Sequence, residues 1–292
     1  MLPELADGGS FCPVRPLIER LGVFLVFGKL FSRLRPKPET EACLPEDMRL
    51  YAVGDVHGRD DLLGQLMENI EADGREHPTK RKILVFLGDY VDRGLQSKQV
   101  IDRLTGQRPD GFETVYLKGN HELAMMQFLG DAQFGRTWKY YGGLETLHSY
   151  GINELTLSDD PRDFERARER LVEVLPSAHR HFLETLSLSA EFGDYFFVHA
   201  GVRPGLSLAR QIEDDLLWIR EDFLSSRASF GKIVVHGHTP TEGAVFRSNR
   251  IGIDTGAYMT GVLTCLVLDG VSREVLQTGE HATLREPADV NH

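Results

Sequence analysis

At 292 residues, with 41% apolar and 26% charged side chains, the chain is long enough to bury a substantial core and has the balance of a globular protein rather than a disordered one. Its formal charge of −11, from 33 Lys and Arg against 44 Asp and Glu, argues against nucleic-acid binding through a broad basic surface. Three widely spaced cysteines, Cys12, Cys43 and Cys265, with no Cys-x-x-Cys pair, argue against a disulfide framework or a thiolate zinc knot, so a cytoplasmic setting is the default.

The first distinctive stretch is 17–34, LIERLGVFLVFGKLFSRL. Its apolar centre is too short to span a bilayer, and it starts too late and lacks the cleavage site of a signal peptide. The flanking basic residues Arg15, Arg20, Lys29, Arg33, Arg35 and Lys37 leave two readings. One is peripheral membrane association through a helix lying at the interface. The other, preferred, is a helix packed on the domain or on a partner. Residues 35–47, RPKPETEACLPED, read as a linker, which makes 1–47 an N-terminal extension. The folded domain then covers 48–280 and a short tail covers 281–292.

Within the domain the pattern is strand, loop, helix, repeated. Strands are expected at 49–53, 82–87 and 114–117, with helices at 60–70 and 97–104, where Leu62, Leu63, Leu66 and Ile70 recur at helical spacing. Serial βα units imply parallel strands with right-handed crossovers. Residues 123–190 change to a helical pattern interrupted at Pro176 and read as an inserted cap. Strands return at 195–198, 232–235, 251–253 and 262–268. The expected fold is an α/β sandwich of two mixed β-sheets flanked by helices.

Five short segments each follow a strand-like run: GDVHG (54–58), GDYVDRG (88–94), GNHE (119–122), VHAG (198–201) and HGHTP (236–240). Ligands of open α/β sheets bind beyond the carboxyl ends of strands, so these loops converge on one edge. Mixed carboxylate, imidazole and amide donors suit first-row divalent metals, and the absence of thiolate argues against a closed structural zinc site. Each segment alone is weak evidence. Their joint occurrence in this order has no bland explanation.

These segments, with IDTGAYMTG (253–261), resemble the phosphoprotein phosphatase family within the calcineurin-like metallophosphoesterases, most closely its bacterial and phage branch. The likeness covers roughly residues 48–269 and implies a four-layer fold with two divalent metal ions, manganese by preference and iron or zinc as alternatives. It implies that Asp55 and His57 bind the first metal, that Asp89 bridges both, and that Asn120, His199 and His238 bind the second, with Asn120 also facing substrate. It makes His121 the general acid, oriented by Asp92, and gives the phosphate oxygens to Arg93 and Arg220. Water activated between the metals would attack phosphorus directly. The main functional expectation is a serine/threonine protein phosphatase acting on phosphorylated protein or peptide, favoured by the Asp-Arg-Gly ending of 88–94. The alternative is a diadenosine-polyphosphate or other small-molecule hydrolase, and a silent binding module ranks last because every expected position is filled. Substrate, native metal and oligomeric state are left open.

Several residues read as structural. His236 is expected to pack, His148, His179 and His181 to belong to the cap or its surface, and the basic residues of 162–170 to lie on a solvated helix face. Trp138, Tyr140 and Tyr141 read as the cap's core rather than the cleft mouth.

Overall fold

Strand β1 (Met48–Val53) is buried along its whole length because it lies inside a six-stranded sheet covered on both faces. Alternation divides its side chains between two cores. Tyr51 and Val53 join Leu84 and Phe86 of β2 (Arg81–Phe86) beneath a layer of helices. Leu50 and Ala52 join Ile83 and Val85 against a second sheet. Double coverage explains why these strands read as unbroken apolar runs.

The computed structural model describes residues 41–106, 109–153, 155, 160–279 and 284–285. In the first sheet β1, β2 and β3 (Phe112–Tyr116) are parallel. Strand β9 (Thr264–Asp269) runs antiparallel to β1, β10 (Ser272–Gln277) antiparallel to β9, and β11 (Leu284–Arg285) closes the edge. The second sheet has the order β4 (Ser189–Phe192), β5 (Tyr195–Val198), β6 (Ile233–His236), β8 (Arg250–Gly252), β7 (Val245–Phe246), with β5, β6 and β8 parallel.

Helix α1 (Asp60–Glu76) follows β1 and buries Leu62, Leu63, Leu66 and Ile70, and α2 (Ser97–Thr105) follows β2. Helix α3 (Asn120–Gly130) follows β3. The stretch expected as a cap contains α4 (Gly143–Ser149), α5 (Pro161–Val174) and α6 (Ser177–Glu184). Helix α5 starts where Asp160 accepts the Arg162 amide and Pro161 presets the first turn. Phe128, Phe164, Leu171 and Phe182 share one cluster with Tyr51 and Phe86, so this stretch forms a wall of the first core. On the far side Phe196, Val198 and Val234 pack against Leu216 and Phe223, with Leu216 on α7 (Glu213–Trp218). The result is the expected four layers, helix, sheet, sheet, helix.

The chain joins the fold ahead of Met48. Leu44 is buried and donates its amide to Gly270 O at 2.9 Å, and the Cys43 amide reaches the Asp194 carboxylate at 3.0 Å. The linker expectation is therefore corrected for its last residues. The stretch 17–34 and most of the tail lie outside the described residues. Among the described residues no helix is long and apolar enough to cross a membrane.

Candidate functional site

The loops after β1, β2, β3, β5 and β6 meet at one place, and all the sequence-derived ligand positions are buried there: Asp55, His57, Asp89, Asn120, His199 and His238. Their backbones are bent to do so. Among the described residues the non-glycine positions with left-handed φ are His57, Asp89, Asp92, Arg93 and His238, every one in this constellation. Such conformations cost of order 1–3 kcal/mol each and persist where surrounding structure imposes them. Space is equally constrained: a Cβ at Gly237 would lie 2.0 Å from Asp55 Oδ1.

Asp89 is the hub. Its Oδ2 lies 3.5 Å from His57 Nε2 and 3.7 Å from His121 Nε2, and its Oδ1 lies 3.4 Å from His199 Nε2. Two clusters share it, His57–Asp89–His121 and Asp89–His199–His238, each with ligand atoms within 4.8 Å of one another. Asp55 stands outside both clusters as a side chain but is tied to the second, accepting the His238 amide at 3.0 Å. Asn120 Oδ1 lies 2.9 Å from His199 Nε2.

Hydrogen bonds set the imidazole tautomers. His57 Nδ1 meets Val91 O and His199 Nδ1 meets Leu87 O, both at 3.0 Å, so each donates there and turns Nε2 inward as a lone pair. His199 Nε2 then faces Asn120 Oδ1, Asp89 Oδ1 and, at 3.1 Å, His238 Nδ1, while His238 Nε2 is buried with no hydrogen-bond partner among the described residues.

Electrostatics follow from burial. Burial, reinforced by His121, lowers the His57 pKa to about 3, and burial, reinforced by His199, lowers that of His238 to about 2; His199 is lowered too, burial outweighing Asp89. These rings are neutral at pH 7, the form that ligates metal. Burial works to raise Asp89, but His199, His121, His57 and His238 outweigh it and hold its carboxyl low. Burial followed by the charges of Asp254 and Asp89 pushes Asp55 well above the usual range. Burial likewise raises Asp254 to about 6. Buried carboxylates gathered among neutral imidazole lone pairs fit divalent cations, which supply the missing positive charge.

His121 sits at the first cluster with Nδ1 2.8 Å from Asp92 Oδ2. Burial works to lower its pKa, but Asp89 and Asp92 outweigh it and raise it. Asp92 is held on all sides: Trp138 Nε1 donates to Oδ2 at 2.8 Å and Thr146 Oγ1 to Oδ1 at 2.7 Å. Arg93 lies over the Tyr258 ring, 4.7 Å from its centroid, with Nη2 3.4 Å from His121 Nε2. Arg220 is exposed and donates to Thr239 Oγ1 at 3.2 Å.

Sequence reasoning missed Asp254, Glu122, Tyr258, Trp138 and Thr146 as parts of this site. Asp254 and Tyr258 stand inside IDTGAYMTG, which was a usable signal. Glu122 accepts the amides of Asp89, Tyr90, Val91 and Gly119 and so anchors the loop that presents Asp89. Trp138 is core, as expected, and also reaches Asp92. Tyr140 is instead exposed, and Tyr141 is only half-buried, its ring 6.0 Å from that of His121. His236 packs against Phe223 as expected, His148 and His181 are exposed, and His179 is buried between Tyr150 and Asp102. Basic residues of α5 pair with acids on its exposed face, as Arg170 does with Glu173.

Comparison with known proteins adds three findings. The family profile described as calcineurin-like phosphoesterase matches residues 48–258. A bis(5'-nucleosyl)-tetraphosphatase PrpE [asymmetrical] of Anoxybacillus flavithermus is 28% identical over 238 residues, 73% of this chain and 88% of the relative. Two crystal structures share the fold. One, a candidate diadenosine tetraphosphatase, superposes with a TM-score of 0.52 at 19% identity over 84% of this chain and 97% of its own. The other, a cold-active protein tyrosine phosphatase, gives 0.51 at 18% over 82% and 80%.

Proposed function

The chain belongs to the calcineurin-like phosphoesterase family and is a metallophosphoesterase, and from that premise we propose that its substrate is a dinucleoside polyphosphate, cleaved by direct attack of water at one phosphorus. Asp55, His57 and Asp89 would hold one divalent ion, and Asp89, Asn120, His199 and His238 a second; manganese, iron and zinc all suit this donor set. When bound, such ions polarise the phosphoryl group and acidify water.

The chain's own residues do the remaining work. Arg93 and Arg220 grip phosphoryl oxygens with planar forks that stay charged. His121 protonates the leaving oxygen from Nε2, while Asp92 keeps Nδ1–H in place. Asp92 is itself immobilised by Trp138 and Thr146, so the proton donor is aimed before substrate arrives.

The observation that carries the substrate is the set of relatives named as bis(5'-nucleosyl)-tetraphosphatases, which pair with about three quarters of this chain at up to 28% identity. It reverses the ranking that the Asp-Arg-Gly ending gave from sequence. A protein phosphatase stands second, supported by an arginine, Arg93, and a proton donor, His121, placed to serve a single phosphoryl group.

The test supplies purified protein with manganese, offering diadenosine tetraphosphate and a phosphothreonine peptide in parallel. ATP and AMP released faster than phosphate from the peptide is the expected outcome. Faster peptide turnover would move the site to protein substrates, and no turnover of either would sink both readings.

A further inference from the structure

Tyr141 and Trp218 make an aromatic surface that the phosphoryl chemistry leaves unused. Their ring centroids are 6.0 Å apart at 52°. The Tyr141 ring lies 6.0 Å from that of His121, and the Trp218 ring 6.3 Å from that of His238. The pair therefore spans the two clusters, from the proton donor to the far imidazole. Both rings are only half-buried, whereas Trp138, three residues before Tyr141, is buried in the core.

Each ring is coupled to an arginine. Tyr141 precedes Gly142, whose carbonyl accepts the Arg93 amide at 3.2 Å. A side chain at Gly142 would collide with Arg93 N at 2.5 Å, so this turn is fitted to the Arg93 loop. Trp218 ends α7 two residues before Arg220, which has no carboxylate in ion-pair distance among the described residues. A ligand with anionic phosphates joined to a flat neutral ring matches this order of arginines and aromatic faces. Stacking on aromatic side chains tolerates any base but favours the larger purine surface.

Resting on the dinucleoside-polyphosphate reading above, we propose that Tyr141 and Trp218 form the stacking platform for a purine base of the nucleotide. The platform sets which phosphate esters bind and leaves the phosphoryl chemistry to the buried residues.

The test compares ATP with tripolyphosphate, which carries the same phosphates without a base. Both are measured at fixed manganese as competitive inhibitors of the hydrolysis of a chromogenic phosphoester. Base stacking worth 1–3 kcal/mol corresponds to a weakening of about 5- to 150-fold for ATP in Trp218→Ala and Tyr141→Ala. The tripolyphosphate constant should hold within about twofold and Trp218→Phe should restore ATP binding. ATP should also quench the fluorescence of Trp218, the half-buried member of the chain's two tryptophans, and tripolyphosphate should not. Equal losses for ATP and tripolyphosphate, or no loss for either, would overturn the platform. If wild type fails to cleave diadenosine tetraphosphate yet still discriminates ATP from tripolyphosphate through Trp218, the substrate reading falls and the platform stands.

Discussion

Trp138 and His121 donate to the same oxygen of Asp92, each at 2.8 Å, so a side chain from the helical stretch fixes the partner of the proposed proton donor. Removing the indole N–H with Trp138→Phe, or the hydroxyl with Thr146→Val, frees Asp92 to rotate and misaims His121. General-acid catalysis contributes about 10²–10⁴-fold, and a misaimed acid should lose roughly 10–100-fold of it. The loss should be large for a substrate with a basic leaving oxygen and small for p-nitrophenyl phosphate, whose leaving group needs no proton. Equal losses on both substrates would show that Trp138 only packs.

Asp89 is shared by both clusters, so Asp89→Asn should unload the site rather than merely slow it. We expect fewer manganese ions per chain by elemental analysis and a fall in turnover of about 10³-fold or more, the scale on which metal-assisted water activation operates. A chelator should abolish wild-type activity reversibly, and full activity after exhaustive chelation would refute the metal requirement.

Arg49 and Tyr51 both donate to Asp73, at 2.8 and 2.5 Å. Burial works to raise the Asp73 carboxyl, but the hydrogen bonds from Arg49 and Tyr51 outweigh it and hold it below the usual range. A carboxyl depressed on folding lends stability above its unfolded pKa, near 3.9, and loses it as pH falls through the lower folded value. At pH 7 Asp73→Asn should cost about 1–2 kcal/mol, discounted for its partial exposure. The gap from wild type in denaturant unfolding should hold down to about pH 4 and close below it. A gap that persisted unchanged at pH 2 would contradict the assignment.

Gly237→Ala would drive a methyl group to 2.0 Å from Asp55 Oδ1, beside the amide that Asp55 accepts. Overpacking of this kind costs about 1–3 kcal/mol, and displacement of Asp55 should weaken metal binding as well. Gly130→Ala, at the end of α3 with no described residue within 4 Å of the added methyl, is the matched control and should be neutral or slightly stabilising. Similar melting temperatures for the two variants would contradict the tight fit at Gly237.

The residues that converge as buried candidate donors were legible because each stands just beyond an apolar strand, and strand ends of this kind follow from local periodicity. Asp55, Asp89 and His199 carry that signature in their own neighbourhoods. The contacts of Asp92 do not: Trp138 and Thr146 reach it across 46 and 54 residues through the docking of helices, which no local pattern encodes. Glu122 was hidden differently. It sits at the start of α3 like an ordinary helix-capping acid, and only the folded loop shows that it also takes the amides of Asp89, Tyr90 and Val91. Strand β10 was missed because its alternating, half-exposed residues lack the unbroken apolar run of β1 or β9. The choice between dinucleotide and phosphoprotein was beyond reach because the buried donors suit either phosphoester; on the platform proposed above it rests with Tyr141 and Trp218, which meet from distant parts of the chain.

Asp55 and the His238 amide that it accepts lie 183 residues apart. At 5–20 residues per second, synthesis separates them by roughly 10–40 s. During that interval a growing chain displays the acidic and imidazole side chains that follow β1, β2 and β3 while β6 is still unmade. A truncated product ending before β6 therefore carries most of the sequence but lacks His238 and never closes the ring of donors around Asp89.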